Sequence, residues 1–200
     1  MVDSYKSIKE IKQYAEENNV PIMQEEGIDF IITFIIKHQI KSILEIGTAI
    51  GYSAIMMALA NPDIKITTIE KDEKRYLEAL KNVKKLELEN RITLIFNEAE
   101  NVILEGEFDM ILIDAAKAQN KRFFELFEHN VKVGGFILTD NMFFHGLVEK
   151  EESEITSRNV LGIVRKIKQY ATFLEKNPSF ETNIYRAGDG IAVSKKIEDS

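Results

Sequence analysis

The 200-residue chain contains no cysteine. That absence rules out a disulfide framework, a thiolate metal site and a cysteine nucleophile. Proline is scarce, at three residues (Pro21, Pro62 and Pro178), and each falls where an element boundary is expected. No Pro/Gly/Ser linker, low-complexity tract or internal repeat is visible, so a single domain over residues 1–200 is expected. Long apolar runs are also missing. The longest, residues 30–36, has a threonine inside it and is far too short to span a bilayer. The first residues, MVDSYKSIKEIKQYAEENN, are polar and acidic, unlike a signal peptide, and a cytoplasmic location is expected. Positive charge is in deficit, with a formal net charge of −7, which argues against a broad nucleic-acid-binding surface while allowing a local basic rim.

What the chain does have is a globular balance of 44% hydrophobic and 30% charged residues. Residues 4–18 and 22–38 read as two helices separated at Val20-Pro21. From residue 42 the pattern changes to short β-branched runs at 42–46, 64–70, 92–96, 108–114 and 135–140. Helical stretches lie between them at 52–60, 72–87, near 98–104 and at 118–130. This alternation predicts an α/β fold, a mostly parallel sheet with helices on both faces. A long helix at about 156–175 and two strands, 180–185 and 190–194, follow around the turn Arg186-Ala187-Gly188-Asp189. That closing hairpin favours a Rossmann-like methyltransferase sheet of seven strands over a dehydrogenase sheet.

The first strand runs into Glu45-Ile46-Gly47-Thr48-Ala49-Ile50-Gly51-Tyr52-Ser53. Ligands of doubly wound sheets sit beyond the carboxyl ends of the strands, where glycine lets a ligand approach the backbone. The spacing is Gly-x-x-x-Gly, without the middle glycine that a dinucleotide pyrophosphate requires, which weakens the case for a NAD-binding oxidoreductase. Glu70 ends the next strand, where an acid can accept the hydroxyls of a ribose; Asp72 is the alternative helix cap. Asp114 and the pair Asp140-Asn141 each end an apolar strand. Two carboxylates and an amide oxygen on one rim suit a hard divalent cation such as Mg²⁺; helix capping by Asp114 and a turn at Asp140-Asn141 are the alternatives. Lys117 lies close enough to face the same rim, where it could act as a base; a solvated lysine opening a helix is the alternative. His38 and His129 read as structural. His145 follows Phe143 and Phe144 in a loop whose rings suit the flanks of a planar acceptor, or a surface position.

Residues 43–53, 113–117 and 139–141 resemble the metal-dependent O-methyltransferases of the catechol and caffeoyl-CoA type. Within that family, the bacterial methyltransferases of tRNA 5-hydroxyuridine are similar through residues 14–23 (YAEENNVPIM), 140–148 (DNMFFHGLV) and 188–195 (GDGIAVSK). The resemblance implies that S-adenosylmethionine is held by Met23, Glu45, Gly47, Ser53, Glu70, Glu98, Ala99 and Asp114. Ser53 would meet its carboxylate and the Glu98-Ala99 segment its adenine, with Glu98 standing where an aspartate is more usual. It further implies Mg²⁺, Mn²⁺ or Ca²⁺ on Asp114, Asp140 and Asn141, with Lys117 and Asp114 catalytic. Residues 1–38 would cover the site. The expected acceptor is the wobble 5-hydroxyuridine of a tRNA anticodon loop, served by Lys117, Lys121, Arg122, Arg158, Arg165, Lys166 and Lys168. A small catechol or hydroxycinnamoyl-type diol is the alternative, and an inactive adenosylmethionine-binding module a further one. Ile28, Phe30, Ile31, Phe34 and Ile35 suggest either a homodimer face or a helix packed on its own sheet.

Overall fold

The computed structural model describes residues 4–198. The elements run α1 (Ser4–Glu17), α2 (Glu25–His38), β1 (Ser42–Ile46), α3 (Tyr52–Ala60), β2 (Lys65–Glu70), α4 (Glu73–Lys85) and β3 (Ile92–Phe96). They continue with β4 (Phe108–Ile113), α5 (Asn120–Phe127), β5 (Val131–Thr139), α6 (Arg158–Lys176), β6 (Phe180–Tyr185) and β7 (Ile191–Lys196). The seven strands form a sheet in the order β3-β2-β1-β4-β5-β7-β6. Parallel pairing joins β1 to β2, β2 to β3 and β4 to β5, while β7 runs antiparallel to both β5 and β6. This is the α/β methyltransferase sheet with the closing hairpin that the sequence predicts. No helix among the described residues is long and apolar enough to cross a membrane.

The chain divides into two compact units, residues 1–103 and 104–200. In the first, the β1 side chains Ile43, Leu44 and Ile46 are buried along with Ile55 and Met57 of α3 and Ile66 and Ile69 of β2. Helix α2 adds Ile28, Ile31 and Ile35, all essentially inaccessible. Three of the five residues considered for a dimer face are therefore accounted for by the chain's own core. Pro21, Ile22 and Met23 precede α2, which starts three residues later than the apolar pattern suggests. Asp72 caps α4 by accepting the Arg75 N–H at 2.9 Å, which leaves Glu70 for other work.

In the second unit the core is aromatic. Phe124 of α5 meets Tyr170 and Phe173 of α6 and Phe180 of β6 edge-on, with centroids 4.8 to 6.2 Å apart. Two boundaries differ from the sequence reading. The helix expected over 118–130 is broken into 3₁₀ turns at Lys117–Gln119 and Glu128–Asn130 around a short α5. Strand β5 starts at Val131 instead of residue 135, because a register shift opposite Phe108 and Met110 adds Lys132, Val133 and Gly134 to it. Those residues are exposed and break the apolar alternation. Only a small extra stretch near 98–104 is helical, a 3₁₀ turn at Ala99–Asn101.

The irregularity needs Gly135. A Cβ there would sit 2.8 Å from the Asp109 carbonyl oxygen and 2.9 Å from that of Lys132, both backbone atoms with little freedom to yield. Gly135→Ala should therefore destabilise the fold by about 1–3 kcal/mol, the usual cost of overpacking. Urea unfolding followed by circular dichroism checks this; an unchanged midpoint would show that the bulge relaxes without cost.

Candidate active site

Two groups of functional side chains stand at strand ends, one in each unit. In the first unit the end of β1 enters a loop in which Gly47 (φ 103°), Ala49 (φ 46°) and Gly51 (φ 83°) are left-handed. The N–H groups of Gly47 and Thr48 both donate to the Ile69 carbonyl, at 3.0 and 3.2 Å, fastening the loop to β2. Glycine at 47 and 51 avoids the Cβ penalty of these dihedrals.

Glu45, wholly buried, lies beneath this loop. Its Oε1 accepts from Ser53 Oγ and its Oε2 from Thr68 Oγ1, both at 2.5 Å. Thr68 spends its proton on Glu45, so Thr48 must supply the proton of the 2.6 Å Thr48–Thr68 contact. The result is a chain of hydroxyls oriented by one carboxyl. Burial pushes the Glu45 pKa up to about 7, opposed by the two hydroxyl donors and assisted by the charge of Glu70.

Glu70 is also buried. Its Oε2 accepts the Ala49 N–H at 2.7 Å, and its Oε1 accepts those of Lys71 and Asp72 at 3.0 and 2.9 Å. A carboxylate offers roughly four acceptor positions. Three are spent holding the loop and the strand end, which leaves one for a ligand hydroxyl. The Glu98-Ala99 segment follows β3, with the Asn97 N–H donating to the Glu70 carbonyl and Glu98 itself exposed. Met23 is buried against Gly27, in contact with the position a Cβ would take there. Glu45, Glu70 and Glu98 thus lie at the carboxyl ends of three adjacent parallel strands, which carries the adenosine-ligand pattern from the sequence into space. Ser53 faces Glu45 here. Thr48 and Thr68 were missed by the sequence reading, although Thr68 lies two residues before Glu70 and so on the same face of β2.

In the second unit Asp114 follows β4 and Asp140 follows β5. The register pairs Ile113 with Thr139, and the Asp140 N–H donates to the Ile113 carbonyl at 3.1 Å. The two acids therefore occupy equivalent steps on neighbouring strands. Asp140 is only 5% exposed, and its Oδ2 accepts from Asn141 Nδ2 at 2.9 Å, which leaves the Asn141 amide oxygen available as a donor atom to a cation. Burial first, and then the charge of Asp114, push the Asp140 pKa up to about 7; Asp189 adds to this, while the Asn141 N–H and Lys117 oppose it. Neither Ala116, at the start of the 3₁₀ turn Lys117–Gln119, nor Gln119, at the start of α5, caps its helix with a side chain. Lys117 Nζ lies 5.7 Å from the centroid of the Phe144 ring. Among the described residues no group of three or more His, Cys, Asp or Glu is arranged as a metal site. The oxygen set here is two carboxylates and one amide. By donor chemistry such an oxygen set fits a hard divalent cation. Asp189, 6% exposed, joins this group, although the sequence reading gave it no role beyond the turn and the 188–195 likeness.

Comparison with known proteins settles the enzyme class. The O-methyltransferase family matches residues 2–197. The chain belongs to that family. It is 32% identical to a flavonoid 3',5'-methyltransferase of Vitis vinifera over 90% of this chain and 79% of that protein. A caffeoyl-CoA O-methyltransferase of Populus kitakamiensis is 29% identical, over 93% and 82%. A crystal structure from Staphylococcus aureus, provisionally described as a caffeoyl-CoA O-methyltransferase, superposes with a TM-score of 0.90 at 39% identity, covering 95% and 92%. The chain is accordingly an S-adenosylmethionine-dependent O-methyltransferase.

Glu45 gives the site a pH signature. An acid whose folded pKa lies above its unfolded value costs stability when it ionises. The cost is absent below the usual 4.5 and grows until about pH 7. Stability of the cofactor-free protein should therefore fall as pH rises through this window, with a share on the order of 3 kcal/mol from Glu45. Glu45→Gln should remove that share of the slope in urea melts between pH 4.5 and 7.5. An unaltered slope would mean that Glu45 is ionised and fully compensated.

Proposed function

We propose that this methyltransferase acts on a planar acceptor bearing two adjacent oxygen atoms, and that a divalent cation on Asp114, Asp140 and Asn141 recruits it. The observation that carries this reading is the pair of carboxylates at the ends of β4 and β5, one of them the buried Asp140, whose pKa the charge of Asp114 helps to raise. When bound, the cation would lower the pKa of the acceptor hydroxyl and polarise its neighbour. The chain's own residues would do the rest. Asn141, bonded to Asp140, would keep its amide oxygen for the ion, Lys117 would take the hydroxyl proton, and the Phe144 ring beside it would offer a face for the acceptor. In the first unit, Gly47 and the Glu98-Ala99 segment would contact S-adenosylmethionine through backbone, as would Met23. Glu70 would use its remaining acceptor position on the ribose, and Ser53, oriented by Glu45, would face the amino-acid end.

A small catechol or hydroxycinnamoyl-type diol is the acceptor favoured by the relatives, whose names specify caffeoyl-CoA and flavonoids. The basic residues expected to meet a tRNA are partly spent on acids: Lys121 lies 3.4 Å from Glu125, and Arg165 is bidentate on Glu152. Wobble 5-hydroxyuridine stays as a second reading. It presents the same adjacent oxygens, and two of the segments that carry the likeness, 140–148 and 188–195, are hydrogen-bonded to each other through Met142 and Gly190.

The test is transfer of a labelled methyl group, with Mg²⁺, to a panel of catechol and hydroxycinnamoyl acceptors and to tRNA containing 5-hydroxyuridine. We expect transfer to a small diol that EDTA abolishes and Asp140→Ala reduces on the order of 100-fold or more. Transfer to tRNA alone would select the second reading. Metal-independent transfer would remove the cation from the mechanism.

A further inference from the structure

The segment after Asp140 is held in a conformation that its own backbone disfavours. Asn141 (φ 63°), Phe144 (φ 48°), His145 (φ 55°) and Gly146 (φ 76°) are all left-handed, and three of them carry side chains. Such residues persist where surrounding structure over-determines them. Here the restraint comes from one tripeptide, Gly188-Asp189-Gly190, at the turn between β6 and β7. The Met142 N–H donates to the Gly190 carbonyl at 2.9 Å and the Phe143 N–H to the Asp189 carbonyl at 2.8 Å. The His145 N–H donates to the Asp189 carboxylate, Oδ1, at 2.5 Å. The Phe143 ring lies flat on Gly190, where a Cβ would come within 2.5 Å of it, and the Arg186 guanidinium covers that ring at 4.8 Å from its centroid.

We propose that Asp189 is a positioning residue: its carboxylate clamps the 141–147 loop and so aims Asn141 at the cation and Phe144 toward Lys117. The assignment rests on the metal reading above for its consequence, and on geometry alone for the clamp. Burying a carboxylate is costly unless its oxygens find donors. Asp189 satisfies Oδ1 on a backbone N–H, while Oδ2 makes no hydrogen bond and lies 3.7 Å from His145 Nδ1. An ordinary turn residue would not need this arrangement. Backbone bonds at Met142 and Phe143 fix the start of the loop, and the Asp189 side chain alone, of the bonds to this turn, reaches its far side at His145. Loss of that bond would let the left-handed residues 144 and 145 relax to commoner dihedrals, carrying Asn141 and Phe144 with them.

Amide hydrogen exchange of the full chain, without metal or cofactor, reads the clamp directly. In Asp189→Ala the segment 141–147 should exchange at least about tenfold faster while β1, β4 and α6 are unchanged. Asp189→Asn keeps the Oδ1 acceptor and should stay within about threefold of the native rate. Native-like exchange in Asp189→Ala overturns the proposal. So does equal acceleration everywhere, which would make Asp189 a general stabiliser. Should Asp189→Ala not fold, Gly190→Ala, which displaces the Phe143 ring, must mobilise the same segment or the clamp is wrong. Mn²⁺ binding by electron paramagnetic resonance tests the consequence: weakening of about tenfold in Asp189→Ala, rescued in Asp189→Asn. If the native protein binds no Mn²⁺, the metal reading falls while the exchange data still decide the clamp. If Mn²⁺ binds equally to native protein and Asp189→Ala, the loop does not aim Asn141 and the proposal fails.

Discussion

Two parallel strands in register at Ile113 and Thr139 bring Asp114 and the buried Asp140 to equivalent steps at one sheet edge, where the charge of Asp114 helps to push the Asp140 pKa up. A pair of like charges with little water is unstable unless something shares the charge. The protein supplies partial answers. The Asn141 amide donates to one oxygen of Asp140, and the nearby Lys117 opposes the rise in its pKa. On the far side of the strand end, the Thr139 hydroxyl is tied to the buried Tyr170 hydroxyl of α6 at 2.8 Å, so the backbone that delivers Asp140 is pinned by the aromatic core. A protein selected for stability alone would have no reason to keep this arrangement. Two acids brought together at a rigid strand end are in keeping with the proposed cation site.

Glu45 and Glu70 in the first unit solve the same problem differently. Glu45 is wholly buried and is met by two neutral hydroxyl donors, which leaves its proton affinity high. Glu70 takes three backbone N–H groups, from the loop, the strand end and the first residue of the next turn. Those bonds make Glu70 the structural anchor of the glycine loop before any ligand arrives. A residue that shapes the loop and would, on the proposed reading, offer its last acceptor position to the ligand couples the two tasks. The cost of binding is then low, because the loop is already ordered.

The strand ends proposed to carry the chemistry were legible because each follows a run of apolar β-branched residues, and because acid or glycine at such a point has few structural excuses. Leu44-Glu45-Ile46-Gly47, Ile113-Asp114 and Thr139-Asp140-Asn141 all had this form. Less legible was whatever depends on contacts between distant segments. The early start of β5 escaped because Lys132, Val133 and Gly134 face outward across a register shift. The helix after Asp114 read as too long because apolar periodicity continues through residues that the backbone winds into 3₁₀ turns at both ends. Asp189 could be recognised as part of a familiar tripeptide, but its partners are backbone N–H groups more than forty residues earlier, and backbone groups leave no mark on a sequence.

The acidity of the chain bears on the acceptor through the same geometry. A net charge of −7 does not prevent binding of an anionic polymer if cations are gathered locally, but gathered cations must be unspent to count. On the outer faces of α5 and α6, Lys121 is matched by Glu125 and Arg165 by Glu152, and Arg186 by the turn is matched by Glu149. Each pair is exposed and worth little to stability, yet each removes one positive charge from the local field. A small planar diol needs none of these residues. It needs a cation site, a base and an aromatic face, and under the proposed reading Asp114, Asp140, Asn141, Lys117 and Phe144 would supply those within a single unit of the fold.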